Sequence, residues 1–184
     1  LMLAIHAYRG TPEVMAALKL SPLLFCRPGE LRKMEWTEVN FEEHRIEIPA
    51  EKMKIKEPHI IPLSDQSMAI LEDLHRHTGT RRYVFPNARS AERPMSDNGV
   101  RVALRTLGYT NDQMTPHGFR AMARTILDEI LNFRVDLIEH QLAHTVKDAN
   151  GRAYNRTKHL EQRRRMMQEW ANYLDALRQG IDNI

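Results

Sequence analysis

The chain has 184 residues, of which 42% are hydrophobic and 28% charged, and its formal net charge is +3. This length fits one ordinary domain or two very small ones, and no apolar run approaches the roughly 20 residues that cross a bilayer, which excludes a membrane span. The single cysteine, Cys26, excludes an internal disulfide and a four-thiolate zinc site, and it favours a reducing compartment.

Two helices are predicted at the start of the chain. Thr11 and Pro12 mark the beginning of the first one, because proline is favoured at the first helical position and threonine at the cap before it. The chain then turns at Pro28, and residues 30–36 are predicted as a second, short helix.

A β-hairpin follows. Residues 41–49 alternate between polar and apolar side chains at Ile46 and Ile48, and residues 59–63 are short and rich in β-branched side chains. The connection between these strands, residues 50–58, is basic and has the composition of a turn.

The remainder of the chain is predicted to be helical, which makes the fold class mainly α with a small antiparallel β-sheet (α+β). Cap residues and a helix-ending glycine or break set the helix boundaries. The predicted helices begin at Ser64, Ser96-Asp97, Thr115-Pro116, Val135 and Arg152, and they end near Gly79, Gly108, Leu131, Ala143 and Gly180, respectively.

Positive charge is concentrated in residues 145–165. This segment holds seven basic and two acidic side chains, a net charge of +5, which leaves −2 for the rest of the chain. A polyanionic partner such as nucleic acid would explain this distribution, and a solvated helical face would explain it equally well.

Three cationic side chains suggest an anion site, although each has a structural alternative. Arg27 follows an apolar helix, where its charge needs an anionic partner, and a salt bridge to Glu30 would satisfy it. His117 and Arg120 are three residues apart at the start of a predicted helix, so they share one face beside free backbone N–H groups. The alternative is a histidine satisfied by the backbone and an exposed arginine.

Three further side chains have mainly structural interpretations when each is taken alone. Lys54 lies in the hairpin connection, where lysines are usually exposed for solubility. His140 and His144 are four residues apart, but a metal site is disfavoured because no HExxH carboxylate and no third ligand accompany them. Tyr154 lies in the basic segment and, in isolation, is typical of a packing residue.

As a set, six of these residues resemble the catalytic signature of the tyrosine recombinases, the phage integrase family. The six are Arg27, Lys54, His117, Arg120, His144 and Tyr154. The motifs occur in family order and cover nearly the whole chain, with no departure at any of the six positions. They are RPGEL, a lysine eight residues before the proline of IIPL, HGFR, LAH, and a tyrosine ten residues after that histidine. The local sequence is most similar to bacterial prophage and genomic-island integrases.

The resemblance implies a site-specific recombinase that integrates or excises DNA through a 3′-phosphotyrosine intermediate, without metal or any other cofactor. The resemblance also assigns a role to each of the six residues. Arg27, Arg120 and His144 would bind the phosphate, Tyr154 would be the nucleophile, His117 the general base and Lys54 the general acid. Glu30 would orient Arg27, and the basic side chains of Lys147, Arg152 and Arg156 would contact the DNA backbone.

The resemblance also implies partners and a setting. We expect residues 1–184 to form a single catalytic domain from the C-terminal part of a longer integrase, whose N-terminal DNA-binding domains are absent from this chain. Expected partners are double-stranded DNA at attachment sites, other protomers in a tetramer, and accessory DNA-bending proteins. The expected location is the bacterial cytoplasm, with the nucleoid and not a membrane.

Alternatives remain open from the sequence. A decayed integrase that only binds DNA, or a relaxing topoisomerase of similar chemistry, would carry many of the same motifs. The apolar side chains of the last helix, from Met166 to Leu177, could pack on the domain's own core, which we favour, or on a neighbouring protomer.

Overall fold

The computed structural model describes residues 1–144 and 159–181. Helices dominate this part of the chain, and short antiparallel strands complete it. The helices are α1 Met2–Ala7, α2 Pro12–Leu24, α3 Pro28–Arg32, α4 Asp65–Thr78, α5 Gly99–Thr106, α6 Gly118–Glu129, α7 Val135–Gln141 and α8 Leu160–Gln179. The strands are β1 Val39–Asn40, β2 Arg45–Ile48, β3 His59–Pro62, β4 Pro86–Asn87 and β5 Ser90–Pro94, with 3-10 turns at Trp36–Glu38 and Ala50–Lys52. The predicted fold class is therefore confirmed.

The predicted hairpin forms the main sheet. β2 pairs with β3 in antiparallel register, with Ile46 opposite Ile61, and β1 adds a third strand on the other side of β2. The first strand is shorter than predicted, because residues 41–44 form a turn in which the Asn40 side chain accepts a hydrogen bond from the Glu43 N–H at 2.9 Å.

Three helix starts are confirmed and three lie further along the chain than predicted. Val135 begins α7, whereas α8, predicted to start at Arg152, begins at Leu160 after the left-handed His159. Thr11 caps α2, and Ser64 caps α4 by accepting a hydrogen bond from Ser67 N at 3.3 Å. The helix predicted to start at Ser96-Asp97 begins at Gly99, after a turn, and its N-cap is Asn98. α6 begins at Gly118, since Thr115 Oγ1 accepts the Gly118 N–H at 3.0 Å and closes a turn before the helix.

The short helix predicted over residues 30–36 is wrong in its second half. α3 ends at Arg32, and the chain beyond it pairs with a distant segment. Met34 O accepts from Val84 N at 2.9 Å, and Trp36 N donates to Arg82 O at 3.1 Å. Tertiary backbone pairing therefore replaces the helical hydrogen bonds, and the local sequence carries no sign of it.

The last helix packs on the domain's own core, as favoured above. Trp170, at the centre of α8, is fully buried, and its Nε1–H donates to Pro22 O at 2.9 Å. That carbonyl lies in the last turn of α2, where helical carbonyls have no partner within the helix. The contact thus satisfies one end of α2 while burying the largest side chain of α8. Within residues 1–144 and 159–181, no helix is long and apolar enough to cross a membrane.

The last basic residues of the predicted basic segment, Arg163, Arg164 and Arg165, do not share one exposed face. Arg163 is fully buried, and its guanidinium donates to Gln141 Oε1 on α7 and to the carbonyl of Ile60 on β3. Arg164 pairs with Glu161 at 3.2 Å, and Arg165 with Glu169 at 2.6 Å. Arg163 therefore belongs to neither a nucleic-acid surface nor a solvated helical face, because its charge lies in the core.

His59 lies beside this buried arginine. Its Nε2 is 3.1 Å from Gln141 O, and its ring centroid is 6.4 Å from that of His140. Burial, followed by the positive charge of Arg163, lowers the pKa of His59 to about 3. The imidazole is therefore neutral in the folded protein at physiological pH, with Nε2–H donating to the carbonyl.

We predict that His59→Gln weakens the acid sensitivity of the fold. Unfolded histidine titrates near 6.5 and folded His59 near 3, so the unfolded state binds the proton first, and stability falls as pH drops below about 6.5. At pH 5 this one group costs about 2 kcal/mol relative to neutral pH. The glutamine keeps a donor for Gln141 O but has no proton to gain.

Urea unfolding at pH 7 and pH 5 measures the difference. The matched control is His77→Gln, an exposed histidine on α4, which should keep the wild-type pH dependence. Equal loss of stability on acidification in wild type and His59→Gln would contradict the prediction.

Candidate active site

Arg27 sits at the N-cap of α3, directly after the chain leaves α2. Phe25 ends α2 in a left-handed conformation with φ 35°, and this turns the backbone toward the site. The Glu30 carboxylate holds Arg27 twice, accepting from its backbone N at 2.9 Å and from Nη1 at 2.8 Å. The salt bridge considered from the sequence is therefore present. Arg27 Nη2 reaches further, to Ala143 O at 3.4 Å.

Arg120, in the first turn of α6, is buried with 5% of its surface exposed. Its Nη1 donates to Phe25 O at 2.9 Å, and its Nη2 to Leu142 O at 2.8 Å. None of its hydrogen bonds in the described part of the chain goes to a carboxylate. Burial and the nearby charge of Arg27 both lower its pKa, but a guanidinium stays protonated at working pH.

The turn at the end of α7 brings His144 close to Arg27 and Arg120. Ala143 takes a left-handed φ of 50°, and the bonds Ala143 N to His140 O and His144 N to Glu139 O close the helix in a Schellman turn. Left-handed geometry costs a residue with a Cβ about 1 kcal/mol. The turn leaves the carbonyls of Leu142 and Ala143 for the arginines and places His144 Nε2 3.2 Å from Arg120 Nη2.

Two residues that the sequence did not single out complete this cluster. Glu139 Oε2 lies 2.5 Å from His144 Nδ1, and its Oε1 accepts from Arg124 Nε at 2.9 Å. Burial alone would raise the pKa of the Glu139 carboxyl, but the hydrogen bonds from His144 and Arg124 outweigh it and hold that pKa below its usual value. The spacing of five between Glu139 and His144 is not a helical-face spacing, so sequence periodicity could not have indicated the contact.

Lys54 and His117 stand apart from this cluster. Both side chains are exposed, and within residues 1–144 and 159–181 neither makes a hydrogen bond or ion pair to Arg27, Arg120 or His144. His117 is the N-cap residue of α6, three residues before Arg120. The backbone next to Lys54 is anchored, since Lys52 Nζ pairs with Glu35 Oε1 at 2.8 Å and Glu38 Oε1 at 2.5 Å.

The remaining predicted site residues lie outside the described residues. They are Tyr154, Lys147, Arg152 and Arg156.

Cys26, the residue before Arg27, is buried, and burial raises the pKa of its thiol to about 12. His140 is buried beside His59, whereas His144 is exposed past the end of α7. The described residues hold no group of three side chains suited to a metal ion.

Comparison with known proteins identifies the family. A family model described as the phage integrase family matches residues 14–161. An integrase of Enterobacteria phage P4 is 42% identical over 188 residues, covering 95% of this chain and 43% of that protein. Prophage integrase IntA of Escherichia coli is 40% identical over 158 residues, covering 86% of this chain and 38% of that protein. The chain thus spans about two-fifths of the length of these curated relatives.

A solved structure supports the fold independently of close sequence similarity. The integrase from mycobacterium phage Brujita aligns with a TM-score of 0.68 at 13% identity, over 91% of this chain and 54% of that one. Structural similarity at 13% sequence identity is evidence for the fold alone. The family model, by contrast, matches most of the sequence. The chain is therefore a member of the phage integrase family.

Proposed function

We propose that this chain is the catalytic domain of a tyrosine-type site-specific recombinase, which integrates or excises a prophage or genomic island. The observation that carries the proposal is the convergence of Arg27, Arg120 and His144. Nη2 of each arginine reaches one of two consecutive carbonyls, Leu142 O and Ala143 O. These side chains come from three separate parts of the sequence, and the folded chain gathers them around one point.

The charge balance of this cluster favours an anion. Glu30 offsets Arg27, and Arg120 is bonded only to carbonyls and to His144 Nε2 among the described residues. Each guanidinium has five N–H groups, so Arg27 keeps three and Arg120 two that bond no described residue. A DNA phosphate supplies the missing negative charge and several acceptor oxygens, which guanidinium groups bind in a planar fork.

The covalent step follows from these roles. The Tyr154 oxygen attacks phosphorus, the bond from phosphorus to the 5′ oxygen breaks, and a 3′-phosphotyrosine forms. His117 takes the phenolic proton, and Lys54 gives a proton to the departing 5′ oxygen. Ionising a free phenol of pKa about 10 at pH 7 costs roughly 4 kcal/mol, which explains the need for a base and neighbouring cations. Rejoining reverses each transfer, so no cofactor is consumed.

The partners of the proposed enzyme follow from the same chemistry. The substrate is double-stranded DNA at an attachment site, in the bacterial cytoplasm, bound partly through Lys147, Arg152 and Arg156. Exchange of two duplexes needs four strand cleavages, which fits a tetramer of such domains with accessory DNA-bending proteins. Contacts of this kind to the phosphate backbone make binding fall steeply with salt.

We predict that Tyr154→Phe abolishes covalent attachment to DNA and leaves binding affinity within about threefold, because a single hydroxyl is lost. The measurement uses nicked suicide duplexes that tile the ends of the genetic element encoding this chain, with detergent-resistant adducts resolved on a gel. Tyr109→Phe, a half-buried tyrosine that packs on the core, is the matched control and should still form adducts. An adduct with Tyr154→Phe would show that the nucleophile is another residue, and salt-sensitive binding without wild-type cleavage would indicate a DNA-binding module.

We predict that Arg27→Lys lowers the cleavage rate by roughly 10²–10³, as expected for loss of one preorganised charge stabiliser. Lysine keeps the charge and the pairing with Glu30 but has no planar fork to span two phosphate oxygens. Arg32→Lys on the same helix is the matched control, since Arg32 also donates to a carbonyl, Met95 O, at 3.1 Å. Similar rates for Arg27→Lys and Arg32→Lys would contradict the assignment of Arg27.

A further inference from the structure

Glu139 links two side chains that come from different parts of the chain. Its Oε2 accepts from His144 and its Oε1 from Arg124 of α6, at 2.5 and 2.9 Å. The side chain is 20% exposed, so the pairs are partly shielded from water. Arg124 also bonds Asp128 Oδ2 through Nη1 at 2.7 Å, and this second carboxylate does not reach His144. Of the two carboxylates that bond Arg124, Glu139 is the one that also contacts His144.

The hydrogen bonds of His144 determine which ring nitrogen carries the proton. A guanidinium only donates, so Nε2 accepts from Arg120 Nη2 at 3.2 Å. A carboxylate only accepts, so Nδ1 carries the proton and donates to Glu139. Without the carboxylate, the Nδ1–H would have no acceptor among the described residues, and only the longer contact from Arg120, at 3.2 Å, would favour this tautomer.

We propose that Glu139 is a positioning residue that sets the tautomer and the ring orientation of His144. The inference rests on the proposed function, in which His144 contacts the phosphate. A proton held on Nδ1 leaves Nε2 unprotonated and facing Arg120 Nη2. With Nδ1 bound to Glu139, Nε2 is the ring nitrogen that faces the proposed phosphate beside Arg120.

An amide at this position would serve less well. Glu139 receives one donor on each oxygen, from His144 and Arg124, and a glutamine would turn its NH₂ toward one of them. The charged groups around the His144 ring are Glu139 of α7, Arg120 and Arg124 of α6, and Arg27 at the start of α3. Glu139 is the acidic member of that set, and it is the one that accepts from a ring nitrogen of His144.

The first test reads the tautomer and needs no DNA. In spectra of the ¹⁵N-histidine-labelled chain at pH 8, with the His144 signals assigned from their absence in His144→Ala, we expect Nδ1 protonated and Nε2 unprotonated. Glu139→Ala should give a mixture of the two tautomers, whereas Asp128→Ala should leave the wild-type pattern. An Nε2–H tautomer in wild type, or an unchanged pattern in Glu139→Ala, would overturn the proposal.

The second test is a double-mutant cycle on the cleavage rate. We expect Glu139→Ala to lower cleavage about tenfold and Asp128→Ala less than twofold, although each removes one carboxylate from Arg124. In a His144→Ala background, Glu139→Ala should cause no further loss, because its effect passes through the ring. Equal losses for the two carboxylates, or a full tenfold loss in that background, would mean that Glu139 serves only helix packing.

The two proposals fail in distinguishable ways. A wild-type chain that never cleaves DNA overturns the proposed function, and the tautomer measurement then still decides the role of Glu139. A wild-type chain that cleaves, with Glu139→Ala at the wild-type rate, overturns the positioning role alone.

Discussion

The cluster depends on one interaction, the bonding of a buried guanidinium to the ends of two helices. Arg120 donates to the carbonyls of Phe25 and Leu142, the residues that cap the C-termini of α2 and α7. Helix C-termini carry unpaired carbonyls and about half a negative charge each. These partial charges offset part of the cost of burying Arg120 without placing a full negative charge beside it. Arg120 therefore keeps its positive charge without a carboxylate among its described hydrogen-bond partners, as the proposed phosphate site requires.

A second buried arginine holds α7 from its other side. Arg163 bonds the Gln141 side chain and the carbonyl of Ile60, again with no carboxylate among its described partners. Gln141 and Leu142 are consecutive, so the end of α7 lies between two arginines, one in the core and one at the site. This arrangement connects α8 and β3 to the placement of His144. Backbone and amide oxygens perform both tasks, so the carboxylates of the cluster, Glu30 and Glu139, bond Arg27 and His144 instead.

The sequence predicted the features that depend on near neighbours. The caps at Thr11 and Ser64 and the β2–β3 hairpin needed only local signals, and they are present. The paired segments around Met34 and Trp36 depend on residues some 46 to 50 positions away, so local patterns misassigned them. Arg163 looked like part of a basic surface, because composition cannot distinguish a core-facing arginine from an exposed one.

The candidate site likewise combines residues that sequence motifs indicate with residues that only the folded structure reveals. Family motifs directed attention to Arg27, Arg120 and His144, which lie together, but Glu139 and Arg124 belong to no motif and emerged only from the folded contacts. Lys54 and His117 come from the same motifs, and both are exposed outside the cluster. The role of Tyr154 remains a prediction from the family motif.

One property of Cys26 has a practical consequence for studying motion in this domain. The thiol is the only one in the sequence, is buried, and has a pKa of about 12, so almost none of it is thiolate at neutral pH. Alkylating and disulfide-forming probes react with thiolates. A cysteine introduced on the surface would therefore be labelled selectively, and fluorophores or spin labels could be attached to the domain with its natural cysteine left in place.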